Sequence, residues 1–254
     1  MLTAQRKSLI LDLLRRDGQV IAKHVAVDLG LSEDTIRRDL RELAADGHLQ
    51  RVHGGALPAS PATGDFPTRT TLASAGKRAI ARTAATLIKP GQTVILDGGT
   101  SNQQLARALP ADLQATVLTH SPTIAVELAA HPAVDVILLG GRLFKHSVVT
   151  TGAIAMEDIA RYRADTYFMG VTGVQPTAGL TTGNAEEAAV KRALAGRAAD
   201  TYVLASAEKI GAASPFTVTT FADVTAIITD SDAERATLRA LHALGVTVVV
   251  AEIA

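Results

Sequence analysis

Apolar residues open the chain at helical spacing. Leu9, Ile10, Leu13 and Leu14 share one stripe that stops at Asp17-Gly18, where glycine can take the left-handed conformation that ends a helix. Ile21, Val25 and Leu29 then step by four, Gly30 permits a tight turn, and Ser32 suits the N-cap of a third helix. In that helix Ile36, Leu40 and Leu43 fall on one stripe. At about 100° per residue, Asp34, Arg38 and Arg41 lie roughly opposite, with Thr35 and Arg37 on the flanks. After Gly47 the period changes to alternation. Residues 48–56 exchange polar and apolar positions around glycines, which suits a small β-ribbon carrying Arg51 and His53.

Residues 58–70, PASPATGDFPTRT, break both periods with three prolines and many small polar residues, the composition of a connector that can reorient two modules. Beyond it, short apolar runs at 93–96, 115–118, 134–139, 166–171, 201–205, 225–229 and 246–250 alternate with helical stretches at 77–88, 101–109, 122–130, 185–198 and 232–244. Such alternation predicts a mostly parallel α/β sheet, because parallel neighbours need a crossover helix between them. The expected division is a winged helix-turn-helix over 1–57, a linker over 58–70 and an α/β ligand-sensing domain over 71–254.

Composition narrows this further. Hydrophobic residues make up 47% of the 254, yet aromatics only 3% with no tryptophan, so the core must be built from Ala, Val, Leu and Ile. The absence of cysteine excludes disulfides and thiolate metal sites. The seven histidines form no pair at helical metal spacing joined to carboxylates, so neither metal nor cofactor is expected. No run approaches the roughly 18 apolar residues of a membrane span, and the expected location is the cytoplasm. The 25 basic residues balance 25 acidic ones, so any affinity for nucleic acid must come from a local arrangement.

The third helix offers one. Arginine on a helix in the major groove can bond a guanine edge bidentately, while hydroxyls and a wing arginine hold phosphates. An isolated arginine cluster is more often a solvated face, here balanced by Asp34, Asp39 and Glu42. The order helix, short helix, glycine turn, capped basic helix and basic ribbon is more specific. Ser32 to Leu40 (SEDTIRRDL) together with Leu49 to Ala56 (LQRVHGGA) resembles the DeoR family of bacterial sugar-metabolism regulators. That resemblance implies a DNA-binding winged helix and points at Ser32, Thr35, Arg37, Arg38, Arg41, Arg51 and His53 as contacts to double-stranded operator DNA.

In the larger part, ligands are expected beyond the carboxyl ends of the strands. Asp97-Gly98-Gly99-Thr100-Ser101-Asn102 joins a strand to a helix and is the best anion cradle in the chain, with N–H groups at a helix start and two hydroxyls. It lacks the lysine of a Walker loop and the G-x-G-x-x-G spacing of a dinucleotide fold. Thr119-His120-Ser121, Gly140-Gly141-Arg142 and Gly170-Val171-Thr172-Gly173 also end strands; individually each is an ordinary turn. Lys191, after the segment 179–187, and Lys209 can also meet an anion, although a solvated lysine is the common case.

DeoR sensor domains resemble the sugar-phosphate isomerase fold. The likeness implies effector contacts at Asp97, Gly98, Gly99, Thr100, Ser101, Asn102, Gly141, Gly170, Gly173 and Lys209, and their place at strand ends adds Thr119 and Arg142 to the expected contacts. This chain departs from the family at Ser206, where an aspartate is frequent, and at His120, where an asparagine is frequent. His120 is expected to hydrogen-bond within its loop.

The expected function is a regulator, most simply a repressor of a carbohydrate-catabolism operon, relieved by a phosphorylated sugar and acting as a homo-oligomer, dimer or tetramer. The alternative is an isomerase-like enzyme with Asp97 or Glu187 as base; the residue at Ser206 and the intact DNA module oppose it.

Overall fold

The computed structural model describes residues 2–253. Helix α1 (Thr3–Asp17) ends at Gly18, whose φ of 68° is the left-handed cap foreseen from the sequence. Strand β1 (Val20–Ile21), α2 (Ala22–Leu29), α3 (Glu33–Ala45), β2 (Leu49–Val52) and β3 (Gly55–Pro58) follow. The strands form an antiparallel sheet in the order β1-β3-β2, with β2 and β3 as the wing. The three apolar stripes meet in one core of Ile10, Leu14, Val25, Ile36, Leu40, Leu43 and Leu49. Burial of those stripes, more than helix propensity, holds such short helices.

The connector carries local structure of its own. It forms a short 3-10 turn at Pro61–Thr63 and helix α4 (Phe66–Thr71). Asp65 caps α4 by accepting from Thr68 N at 3.0 Å, and Pro67 in the first turn gives up an N–H that would have had no partner there. The same prolines that suggest a linker therefore pre-set the helix start.

The rest runs α5 (Ser74–Ala85), β4 (Thr93–Leu96), α6 (Thr100–Ala108), β5 (Ala115–Thr119), α7 (Pro122–Leu128), β6 (Val134–Leu138), the hairpin β7 (Arg142–Phe144) and β8 (Val149–Thr151), α8 (Ala153–Ile159) and β9 (Ala164–Gly170). It continues through β10 (Gly173–Gln175), β11 (Gly179–Thr182), α9 (Ala185–Ala195), β12 (Ala198–Leu204), β13 (Phe216–Thr219), β14 (Ala226–Asp230), α10 (Arg235–Ala243) and β15 (Val248–Ala251). Seven strands form one parallel sheet in the order β15-β14-β12-β9-β4-β5-β6.

Both faces of the sheet are covered, so its strands are apolar at successive positions. Val94 and Leu96 enter a core with Ile80 and Leu105, while Ile95 between them enters a second core with Tyr167 and Leu194. The pairs β7–β8 and β10-β11-β13 lie outside the seven-stranded sheet and were not foreseen as strands. At three or four residues each, they are too short to show an alternation.

Candidate functional site

From β4 the chain builds outward through β5 and β6, then returns to place β9 on the other side of β4 and builds through β12, β14 and β15. The loops after β4 and β9 therefore diverge, and a crevice opens between them at the carboxyl edge of the sheet. A cavity of about 540 Å³ occupies it. Gly98, Gly99, Thr100 and Ser101 supply one wall, with Gly170 and Lys209 facing them. Crowding and backbone conformation explain the glycines. A Cβ on Gly98 would lie 2.2 Å from Val149 Cγ1, Gly99 has a φ of 98°, and a Cβ on Gly170 would lie 3.0 Å from the Gly98 carbonyl.

Asp97 sits beneath this wall, fully buried. Its Oδ1 accepts from Gly98 N at 2.8 Å and lies 2.7 Å from His120 Nε2; its Oδ2 accepts from Gly170 N at 2.8 Å and from Lys191 Nζ. Burial opposes its charge, yet the Lys191 ammonium and His120 hold its carboxyl well below the usual range. Its acceptor positions are thus committed to tying β4, β5, β9 and α9 together. His120 Nδ1 is 3.0 Å from the Thr150 carbonyl, so the ring links β8 to the loop after β4 instead of bonding within its own loop.

Above Asp97, α6 starts at Gly99 with no side chain capping its first turn, leaving N–H groups and the helix dipole open to an anion. Lys209 reaches the same place, its Nζ 3.3 Å from Ser101 Oγ. Burial is the main cause that brings the Lys209 pKa down to about 7; Glu208 opposes it, and Lys77, Arg69 and Lys191 add smaller repulsions. Burial also lowers the pKa of Lys77 and Arg69. The empty cavity therefore disfavours the charged forms of these cations, and an anion bound among them would favour those forms. Glu187, on α9, adds an acceptor to the wall beside Asn184 and Thr182, a surface suited to hydroxyl groups.

Not every residue named from the sequence reaches the cavity. Thr119 is buried below it and accepts from Ser121 N at 3.1 Å. Asn102 is buried with neither side-chain polar atom partnered, near Gly170. Gly141 is closed in by the Thr151 carbonyl, and Gly173 by the Ala212 carbonyl. Arg142 points to solvent and bonds Glu186 at 2.5 Å. None of these five lines the cavity, and Asp97 supports it from underneath. Lys191, read as a solvated lysine, is buried against Asp97.

Arg69 and Lys77 were missed. Lys77 carried a readable signal, since it shares the buried stripe of Ile80, Ala81 and Ala84; Lys191 likewise falls with Glu187, Ala188 and Leu194. A lysine on an apolar stripe is costly to bury unless it meets a partner or a ligand. Arg69 gave no such signal inside a proline-rich stretch.

On the winged helix, Ser32 caps α3 by accepting from Thr35 N at 3.3 Å, and its hydroxyl lies 2.9 Å from that of Thr35. Arg37 pairs with Glu33 at 2.7 Å, while Arg38, Arg41, Arg51 and His53 are exposed. Two of the carboxylates that might have neutralised this face are engaged by α1 instead. Asp39 is buried and bonded by Arg6, and Glu42 pairs with Lys7 at 2.7 Å.

A basic recognition helix with a wing, joined to an α/β domain with an anion-ready crevice, defines a ligand-sensing DNA-binding regulator. Residues 6–62 match the DeoR-like helix-turn-helix domain and residues 73–231 the DeoR C-terminal sensor domain. The chain belongs to the DeoR family of transcriptional regulators. It is 33% identical over 251 residues to the HTH-type transcriptional regulator GlpR of Haloferax volcanii, covering 98% of each chain. It is 31% identical over 254 residues to the HTH-type transcriptional repressor GlcR of Bacillus subtilis, covering 99% of this chain and 98% of that one. Among solved structures, ribose 5-phosphate isomerase A of Methanocaldococcus jannaschii overlays 52% of each chain with 18% identity and a TM-score of 0.39, too loosely to inform on function. Among the described residues no helix is long and apolar enough to cross a membrane.

Proposed function

We propose that this regulator represses a carbohydrate-catabolism operon and is released from its operator by a phosphorylated sugar or a related phosphate ester bound in the crevice. The observation that carries the reading is the buried Lys209 side chain beside Ser101 at the uncapped start of α6. A buried amine without a paired carboxylate is charged most readily when an anion meets it, and helix N–H groups with a lysine suit a phosphate. Glu187, Asn184 and Thr182 then face the hydroxylated remainder. Ser32, Thr35, Arg37, Arg38, Arg41, Arg51 and His53 form the DNA face, with Ser32 and Thr35 also shaping the helix start. Repression by a homo-oligomer follows from paired recognition helices meeting two half-sites, whose spacing the ligand changes by favouring one arrangement. An enzyme is the poorer reading. Asp97, a candidate base, has its oxygens fully engaged by Gly98, Gly170, His120 and Lys191.

The test selects genomic fragments with the purified chain, then challenges the bound DNA with a panel of sugar phosphates at constant ionic strength. Release by one compound and not by its unphosphorylated sugar is expected. Specific binding that no phosphate ester alters would overturn the effector, and failure to select DNA would overturn the regulator itself.

A further inference from the structure

We propose that Arg69, carried by the connector helix α4, is itself an effector ligand, so that the bound anion fastens the connector across the crevice. The proposal rests on the reading that the crevice takes a phosphate, and adds the element through which occupancy reaches the winged helix.

Arg69 lines the cavity, with Nη1 3.9 Å from where a Cβ on Gly99 would stand, at the open start of α6. Its Nη2 is buried and has no hydrogen-bond partner. Its Nε makes only a long 3.4 Å contact to the Asp65 carbonyl, while its own carbonyl accepts from Lys77 Nζ at 2.7 Å. The backbone is thus held and the fork of the guanidinium is left unused. A planar fork beside helix N–H groups matches two oxygens of one phosphate.

The position of Arg69 in the chain gives the contact its consequence. The connector begins at Pro58, the last residue of wing strand β3, whose carbonyl accepts from Ala213 N at 2.9 Å. Ser60 bonds both Ala213 and the Thr172 carbonyl, and Phe66 N donates to the His146 carbonyl at 3.0 Å. One segment therefore runs from the wing over the cavity to α5. The other cations, Lys77, Lys191 and Lys209, sit on α5, α9 and the turn after β12, all built into the sensor core. Arg69 alone among them rides on an element outside the sheet and its flanking helices. With the crevice empty, burial of Arg69 and its repulsion with Lys77 and Lys209 act against the docked position of α4, and Glu187, Asp65 and Asp97 act for it; a dianion among the cations adds an attraction that the empty crevice lacks. Ligand then selects the docked connector because it contacts that state and not the undocked one.

The full chain is titrated with inorganic phosphate at fixed ionic strength, following affinity by calorimetry and amide hydrogen exchange across residues 62–73. In the unaltered protein phosphate is expected to slow exchange in that segment several-fold. Arg69→Gln is expected to bind phosphate about tenfold more weakly, and to leave the segment unprotected even at matched occupancy. Arg69→Lys, which keeps the charge and loses the fork, falls between, and tests the idea if the glutamine variant does not fold. Lys209→Met serves as the comparison for the site itself. If Lys209→Met loses phosphate while Arg69→Gln matches the unaltered protein in affinity and protection, the connector role is overturned and the crevice reading stands. If Lys209→Met binds phosphate undiminished, the crevice reading fails and this proposal falls with it.

Discussion

Lys209 shows at the scale of one residue how the sensor domain gives up stability for readiness. Its side chain is buried with a hydroxyl as its only close partner, and its pKa lies near 7 instead of the ordinary 10.5. Between those values the unfolded chain holds the proton and the empty folded chain releases it, so the empty protein gains stability as pH rises from about 7 toward 10.5. A phosphate dianion works the other way, because it favours the protonated ammonium. Glu208 faces Lys209 with the same sense, while Lys77, Arg69 and Lys191 oppose it. Above pH 7 a sugar phosphate is already dianionic, its second pKa being about 6. Binding at pH 8 should therefore draw close to one proton from solution, and affinity should fall as pH rises further. Calorimetry in buffers of different ionisation enthalpy measures the uptake, and Lys209→Met should abolish it; binding without buffer dependence would mean that Lys209 does not meet the anion.

At the scale of the element, α3 is a two-sided helix. Its apolar stripe carries Ile36, Leu40 and Leu43, and Asp39 joins that inner side to receive Arg6 of α1. The acidic residue that seemed to offset the arginines is structural. Replacing Asp39 by Ala should cost the winged helix about 2 kcal/mol, because Arg6 would keep a largely buried charge without its acceptor. Adding Arg6→Met should recover much of that loss, since an apolar pair of similar volume needs no counter-charge. Denaturant unfolding of the four proteins measures the cycle, and a double variant no more stable than Asp39→Ala alone would refute the account.

The same helix marks what the sequence can and cannot reveal. Its cap and core stripe were legible because periodicity and Ser32 report local physics, and the seven strands of the large sheet were legible because each carries a short apolar run. The loop 97–102 was legible as a turn from a strand into a helix start. The partner of Asp39 was not, since Arg6 stands 33 positions away, and neither was the burial of Lys191 against Asp97, 94 positions away. Arg69 was hidden for a different reason: proline and small polar residues describe a linker and an N-terminal helix turn equally well.

The whole molecule has no net charge, so its affinity for DNA must be produced by a local face working against a neutral remainder. The wing and α3 divide that work. On the proposed reading Arg51, exposed on β2, would meet the phosphate backbone, and Arg38, exposed on α3 opposite the core stripe, would meet base edges in the major groove. These roles separate by salt. Arg51→Ala should weaken binding to all sequences alike and reduce the slope of log affinity against log salt by about 1. Arg38→Ala should cost about 1–3 kcal/mol at the selected operator, keep the slope, and relax discrimination at one position in each half-site. Because a neutral protein gains little from long-range attraction, one winged helix should bind poorly. The selected fragments should instead carry paired half-sites about 10 base pairs, or a multiple of that, from centre to centre, each engaged by one of two chains. Footprinting of the selected fragments, with fluorescence titrations from 50 to roughly 200 mM salt, reads all three quantities. Equal slopes and unchanged base preference in both variants would remove α3 and the wing from the DNA face, whatever the crevice binds.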